Sequence, residues 1–455
     1  MNDLEHFRLK TNDLGRLTGV SIALHAIPDA FLLMHCGVGC KHKATSKLST
    51  HDWAENVVDR EGWTEVGDAE LIEGSTHRIG PYLRSWQKRV QPGLMAVISV
   101  TFLDLTGDDY KDEVRQNDEE LPCKVIYVPA PGYDGDVYAG YASALVEVVK
   151  SLDWTQPVTH KTEVSVLGYL FDRYEGDHLG NLAQLRSLLK ALGLSLGATL
   201  FSGAPYAKLH EAPRAGLTLS FPYAAPRAKR FKRLTKRELL QVDLPMGIAG
   251  TSRWLRVVGK AAQVQEERIQ AVIQHKEAQV RKHIGMARQH LEGQRVAVFA
   301  DVPLLIGLCT LLLELGLMPV LVGIRGHTLG GEQEFRDGLA RNGFSLPDDL
   351  PVLLSPSLHA VRENVRNLLD RDQLDGMIGA ATEFNAITTL PADTFVQYDH
   401  RGEPTKGGLF ALEAGFPCKH YHVTRPSPFM GYAGVMGWAD RLLNAPRLWD
   451  NGRSR

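Results

Sequence analysis

Sulfur is scarce in this chain. Its 455 residues include five cysteines, an odd and low number that argues against a disulfide framework. No apolar run approaches the roughly 18 residues needed to cross a bilayer. The polar start MNDLEHFRLKTNDLG has no signal-peptide core. A cytoplasmic protein without a membrane span is the expectation. The formal net charge is −2, so no overall field draws the protein to nucleic acid or to a membrane. Several catalytic signatures are missing too. Without GxxxxGK(S/T) there is no P-loop for a nucleoside triphosphate. Without GxGxxG no strand–turn–helix junction lets backbone approach a pyrophosphate; the nearest stretch, 299-FADVPLLIGL, lacks the glycines. HExxH, GxSxG and CxxC are also absent. The pattern suits a subunit whose chemistry depends on a cofactor shared with partners.

What is present is a recurring α/β theme. Hydrophobic content is 44% and charged content 23%, an ordinary globular balance. Apolar runs such as 95-MAVISVTFLDL, 124-KVIYVPAPG, 163-EVSVLGYLF, 295-RVAVFAD, 319-PVLVGIRG and 375-DGMIGAATE show no alternation. Such runs are strands buried on both faces, as in parallel sheets covered by helices. Amphipathic segments such as 181-NLAQLRSLLKALGL and 303-PLLIGLCTLLLELGL lie between them. The fold class is therefore α/β, with three doubly wound, Rossmann-like domains at 1–160, 161–290 and 291–420. Residues 151–161 read as a linker, and about 254–292 as one long charged helix. The tail, 421–455, is expected to pack back on the first domain.

One turn stands apart. In 31-FLLMHCGVGC-40, Cys36 and Cys40 follow an apolar strand within a glycine-rich turn. Cys40 falls where a helix begins, and a helix N-terminus lowers a thiol pKa and favours thiolate ligation. Glycine turns also bring backbone N–H groups to the sulfide of an iron–sulfur cluster. One or two thiolates cannot hold a cluster alone, but at an interface they complete a set given by another subunit. The alternative at this point is a buried, inert thiol. Cys36 is a second ligand or a small apolar filler. Cys123, Cys309 and Cys418 read as packing residues. Asp104, Asp108 and Asp109 read as relays or as turn and cap residues. His35, His420 and His422 are candidate proton donors. The run 227-RAKRFKRLTKR-237 has seven basic residues and no acidic one. It is a solvated helix face or a docking site for an acidic partner.

Collinear motifs carry a resemblance. The stretch 18-TGVSIALHAIPDAFLLMHCGVGCKHKA resembles the first cluster-ligand loop of the nitrogenase component 1 superfamily, with Cys40 on the family cysteine. Further matches follow in order: 64-TEVGDAELIEGS, 97-VISVTFLDLTGDDYKDEV, 128-VPAPGYDGDVYAGYASAL and 245-PMGIAGTSRWLRVV. Last, 415-GFPCKHYHVTRPSPFMGYAGVMGWADRLLN is similar to the closing segment of β-type subunits. Two departures stand out. Trp63 and Thr101 occupy positions where classical subunits have their second and third cysteines.

The resemblance implies a β-type subunit of a nitrogenase-like, ATP-dependent reductase. Cys40 would ligate a relay cluster shared with a cysteine-richer α-type partner in an α2β2 complex. The loss of two cysteines resembles chlorophyllide reductase and implies a 4Fe–4S cluster. A separate ATP-hydrolysing iron protein would deliver the electrons. The implied substrate is a tetrapyrrole, or a small molecule reduced at a complex iron cofactor on the partner. Two rival readings are a scaffold or carrier for metallocofactor assembly, and a regulatory binding protein with Cys36 and Cys40 as a thiol switch.

Overall fold

The runs without alternation are strands buried on both faces, as expected of parallel sheets under helices. The computed structural model describes residues 14–37, 57–100, 109–169, 175–387, 397–398, 404–406, 409–416, 418 and 425–453. Strands β1 (Ala30–His35), β2 (Glu61–Trp63), β3 (Leu94–Val100) and β4 (Lys124–Ala130) form a parallel sheet in the order β2-β1-β3-β4. Every residue of β1 and β3 is buried. Strands β5 (His160–Leu167), β6 (Ser195–Thr199), β7 (Ala215–Ser220) and β8 (Leu240–Gln241) repeat that pattern as β6-β5-β7-β8. These two sheets belong to one compact unit, Leu14–Arg173 with Leu194–Val242. In it the helices Arg16–His25 and Val137–Ser151 meet through glycine. A methyl at Gly19 would strike the Val137 carbonyl, and one at Gly140 would strike that of Arg16. Arg16 locks the crossing by donating to Asp134 O at 2.7 Å and Ser143 Oγ at 2.6 Å.

The second unit, Tyr174–Gly193 with Asp243–Arg455, holds a third parallel sheet. It is built from β9 (Arg295–Ala300), β10 (Met318–Ile324), β11 (Val352–Leu354) and β12 (Gly376–Gly379). A small antiparallel pair, β13 (Gln397–Tyr398) and β14 (Pro404–Lys406), precedes its last strand, β15 (Phe410–Glu413). The order is β11-β10-β9-β12-β15. In each sheet the strand order reverses once, at β1/β3, β5/β7 and β9/β12. Ligands of open α/β sheets bind in the crevice at the carboxyl ends of the strands beside such a reversal.

One expectation is corrected here. The long helix expected over 254–292 is two helices, Gly247–Ala261 and Glu266–Leu291. Gln263 breaks it at φ 57°, and Val264 N–H turns back to Gly259 O at 2.9 Å. The tail forms the helix Gly431–Arg453. This helix packs on Glu175–Leu192, Gly247–Ala261, Glu266–Leu291 and β15 of its own unit. The cause is a buried stripe of Tyr432, Val435, Trp438, Ala439 and Leu442, together with a buried ion pair between Arg441 and Asp177. Asn181 Oδ1 accepts from the N–H groups of Phe429 and Met430, both at 3.0 Å, and fixes the entry to the helix.

Glu314 joins two helices of this unit. Its carboxylate accepts from Ile248 N–H at 2.6 Å and Ala249 N–H at 2.7 Å, capping the first turn of Gly247–Ala261. Burial nonetheless pushes its carboxyl up to about 7, against the lowering effect of those two N–H groups and Arg281. The folded state therefore holds this proton more tightly than the unfolded chain does. Stability from this group is full at low pH and is lost as pH rises through about 7. We expect the melting temperature of the wild type, measured against Glu314→Gln, to fall between about pH 5 and pH 8. The free-energy equivalent is at most roughly 3 kcal/mol. Parallel profiles for the two proteins would contradict this.

Candidate functional site

The reversal of the first sheet lies between β1 and β3, and the cysteine turn leaves from the end of β1. His35 is the last residue of β1 and is fully buried. Its Nδ1 lies 2.9 Å from Thr64 Oγ1 and its Nε2 lies 2.9 Å from Ser75 Oγ. The same Thr64 oxygen accepts the Cys36 N–H at 3.3 Å. Two main-chain bonds complete the junction: Thr64 N–H to Met34 O at 3.2 Å and Val66 N–H to Cys36 O at 3.0 Å. The end of β2 is thereby sewn to the first residues of the turn. Tyr110 meets the imidazole edge-on, with centroids 5.1 Å apart, and stacks on Tyr127. Tyr127 and Ser99 share a hydroxyl hydrogen bond of 2.7 Å. The Cys36 side chain is buried beside this network.

The other sequence candidates divide. Cys40, Thr101, Asp104, Asp108, His420 and His422 lie outside the described residues. Asp109 caps the helix Tyr110–Glu120 by accepting from Lys111 N–H at 3.0 Å. Trp63 closes β2 and is buried. Cys123 sits at the start of β4, away from the carboxyl edge, and burial pushes its thiol up to about 11. Cys309 is enclosed within the helix Val302–Glu314, and burial raises its thiol too. Cys418 donates to Glu413 Oε2 at 2.9 Å, past the end of β15. Among the described cysteines, only Cys36 therefore lies at the end of β1, beside the first sheet's reversal. Among the described residues no three His, Cys, Asp or Glu side chains converge as a metal site. Cys36, with Cys40 four residues further along the sequence, supplies at most part of a cluster's ligand set and not a whole one.

The basic run forms the helix Ala228–Thr235, which buries Phe231 and Thr235 and exposes Lys229, Arg230, Lys232 and Arg233. Arg230 faces Glu147 at 3.6 Å and Lys232 faces Glu238 at 2.5 Å. Arg237 donates to Gln156 O at 2.7 Å and lies over the Trp154 ring, so it is structural.

Sequence reasoning missed a polar group at the carboxyl edge of the third sheet. Arg325, just after β10, pairs with Glu383 at 3.5 Å and donates to Phe416 O at 2.7 Å. Burial raises the Glu383 carboxyl, while Arg325 and the Ala380 N–H oppose the shift. Glu413, at the end of the neighbouring strand β15, accepts from Cys418. The available signal was charge directly after buried strands, in GIRG and GAATE.

Known proteins share this architecture. The profile described as nitrogenase component 1 type oxidoreductase matches residues 16–446. The chain belongs to that family. Among family members it is 21% identical to the nitrogenase iron-molybdenum cofactor biosynthesis protein NifE of Rippkaea orientalis, over 95% of this chain and 87% of that one. It is 23% identical to the nitrogenase molybdenum-iron protein beta chain of Azotobacter vinelandii, over 90% of this chain and 79% of that one. Identity to a light-independent protochlorophyllide reductase chain of Chloroflexus aurantiacus is 29%, over 42% of this chain and 34% of that one. A solved structure of nitrogenase Cp1 at pH 6.5 superimposes with a TM-score of 0.76 at 18% identity, covering 96% of this chain and 93% of that one. The expected three-sheet α/β fold is thus the fold of the family. Its relatives carry the names of both cofactor biosynthesis and reductase proteins, and membership alone does not choose between them.

The junction beneath the turn is testable without any cofactor. His35→Leu leaves Ser75 and Thr64 with a lost buried partner and should lower unfolding free energy by about 2–3 kcal/mol. In a double-mutant cycle with Ser75→Ala, the pair should cost clearly less than the sum of the singles. Strict additivity would mean that the two side chains are not coupled.

Proposed function

We propose that this chain is a β-type subunit of a nitrogenase-like, ATP-dependent reductase. Its Cys40 thiolate, with Cys36 as the candidate second ligand, would hold one corner of a 4Fe–4S cluster shared with an α-type subunit in an α2β2 complex. The observation that carries this reading is the placement of sulfur. Cys36 follows β1 at the first sheet's reversal, Cys40 stands four residues on in the sequence, and Cys123, Cys309 and Cys418 belong to other parts of the fold. Two thiols require a partner to complete a cubane.

When bound, such a cluster supplies one-electron transfer. The chain's own residues would set its surroundings. The Thr64, His35 and Ser75 network holds the base of the turn, and Tyr110 and Tyr127 pack beneath it. Buried surroundings and N–H groups directed at sulfur tune the potential of an iron–sulfur site. The missing P-loop agrees with a separate iron protein that hydrolyses ATP. On this reading the complex is cytoplasmic, binds no nucleic acid, and reduces a tetrapyrrole or a small molecule at an iron cofactor on the partner. Among the described residues no helix is long and apolar enough to cross a membrane.

A second reading is favoured by the NifE relatives, which match nearly the full chain. There the same turn would hold a cluster or cofactor precursor during assembly, without turnover. A thiol switch between Cys36 and Cys40 is the third reading. Reduction by the purified complex, with iron protein and ATP, separates the first from both.

The ligand assignment has its own test. Cys40→Ala should lower the iron content of the purified complex while the circular dichroism of the chain stays unchanged. Cys309→Ala should keep the iron and cost about 1–3 kcal/mol of stability, through its cavity. Equal iron in wild type and Cys40→Ala would remove Cys40 from the ligand set.

A further inference from the structure

The helix Ala228–Thr235 turns a cationic face outward. It connects β7 to the edge strand β8 and packs on the helix Val137–Ser151. Phe231 and Thr235, one turn apart, are buried and define its inward side. At about 100° per residue, Arg233 points directly away from them, with Lys229 and Arg230 on either side and Lys232 at the edge of the arc. All four are exposed, as is Lys236 at the C-terminal cap. Between Glu211 and Glu238 the sequence has no Asp or Glu.

Few carboxylates answer these charges. Glu147, on the neighbouring helix, is divided between two cations. Lys150 donates to its two oxygens at 2.8 and 2.6 Å, and Arg230 lies 3.6 Å away. Glu238, itself exposed, takes Lys232 at 2.5 Å. Among the described residues no side chain pairs with those of Lys229, Arg233 or Lys236. Like charges three and four residues apart on a helix repel, as Lys229 does with Lys232 and Arg233, and Arg230 with Arg233. A negative surface brought from outside relieves that repulsion.

The form of the patch selects among anions. A small anion finds no cup at the helix start. The 3-10 turn Pro222–Arg227 runs straight into the helix, and the Ala228 N–H is already bonded to Ala225 O. Nucleic acid fits poorly as well. Phe231, the aromatic residue of the helix, is buried and offers no face for base stacking. Glu147 and Glu238 border the cations and repel a continuous phosphate backbone, whereas on a protein partner each can face a Lys or Arg. The chain's net charge of −2 adds no general attraction for a polyanion.

We propose that this helix face docks a protein partner through an acidic surface on that partner. Carboxylates of the partner meet Lys229, Arg233 and Lys236, the cations that have no counter-charge of their own. Arg230 and Lys232, held by Glu147 and Glu238, form the border of the contact. Such a surface acts mainly on the rate and specificity of association. The inference is independent of the cluster assignment, since no thiol takes part in it.

The test is fluorescence anisotropy of a labelled short poly-L-glutamate peptide, titrated with the full chain at two ionic strengths. A single-stranded oligothymidylate of equal charge serves as the nucleic-acid probe. Saturable binding of the peptide is expected, weaker at the higher salt. The variant Lys229→Gln/Arg233→Gln/Lys236→Gln changes exposed side chains and keeps helix propensity. It should bind the peptide about tenfold more weakly and with a flatter salt dependence. The variant Lys260→Gln/Lys282→Gln/Arg288→Gln removes the same charge from exposed positions elsewhere and should bind as the wild type does. Absence of saturable binding would overturn the proposal. An equal loss in both variants would show an effect of net charge alone, and tighter binding of the oligothymidylate would show a nucleic-acid surface; either result also overturns it.

Discussion

The Thr64 hydroxyl holds two strand ends together. It accepts the Cys36 N–H and lies against His35 Nδ1, while the other imidazole nitrogen meets Ser75. These groups are buried, so each bond replaces water that cannot reach them, and breaking one leaves a costly unpaired group. Cys36, the first residue after β1, sits on a fixed base because β1, β2 and Ser75, just before the helices that lead to Val90, are tied at this one point. If that base moved, the geometry of any ligand on Cys36 or Cys40 would move with it. Parallel strands explain the location. With both faces covered by helices, strand ends are where a sheet meets solvent or ligand.

Much of the fold was legible in the sequence. Runs such as 94-LMAVISV and 295-RVAVFA lack alternation, and they fold as central strands buried on both faces. The turn after β1 was visible as a glycine–cysteine pattern, and the collinear motifs led to the family that comparison shows. Other features depended on contacts distant in sequence. The break at Gln263 carries neither glycine nor proline, so nothing local marks it. The C-terminal helix finds its place through Arg441 with Asp177 and the loop before it through Asn181, partners some 250 residues earlier. The Arg325–Glu383 pair joins the residue after β10 to the helix Ala381–Ile387, and periodicity says nothing about how such distant elements meet.

Trp63 bears on function. The resemblance expects a cysteine at that position, and the structure shows a buried indole in register with Met34 of β1. A bulky ring there leaves no thiol on β2 to face the turn. The same residue lines a cleft with Asp59, Glu65, Tyr82 and Trp86. On the proposed reading the chain is thereby poor in thiolates and dependent on another chain for any complete cluster.

That dependence is the central claim, and iron stoichiometry tests it directly. The chain would be expressed anaerobically alone and together with its α-type partner. Iron per chain and the electron paramagnetic resonance spectrum of the reduced protein would then be measured. The account predicts an isolated chain that is nearly free of iron, and a complex with about four irons per α/β pair and the signal of a reduced 4Fe–4S cluster. A fully occupied, stable cluster on the isolated chain would contradict it.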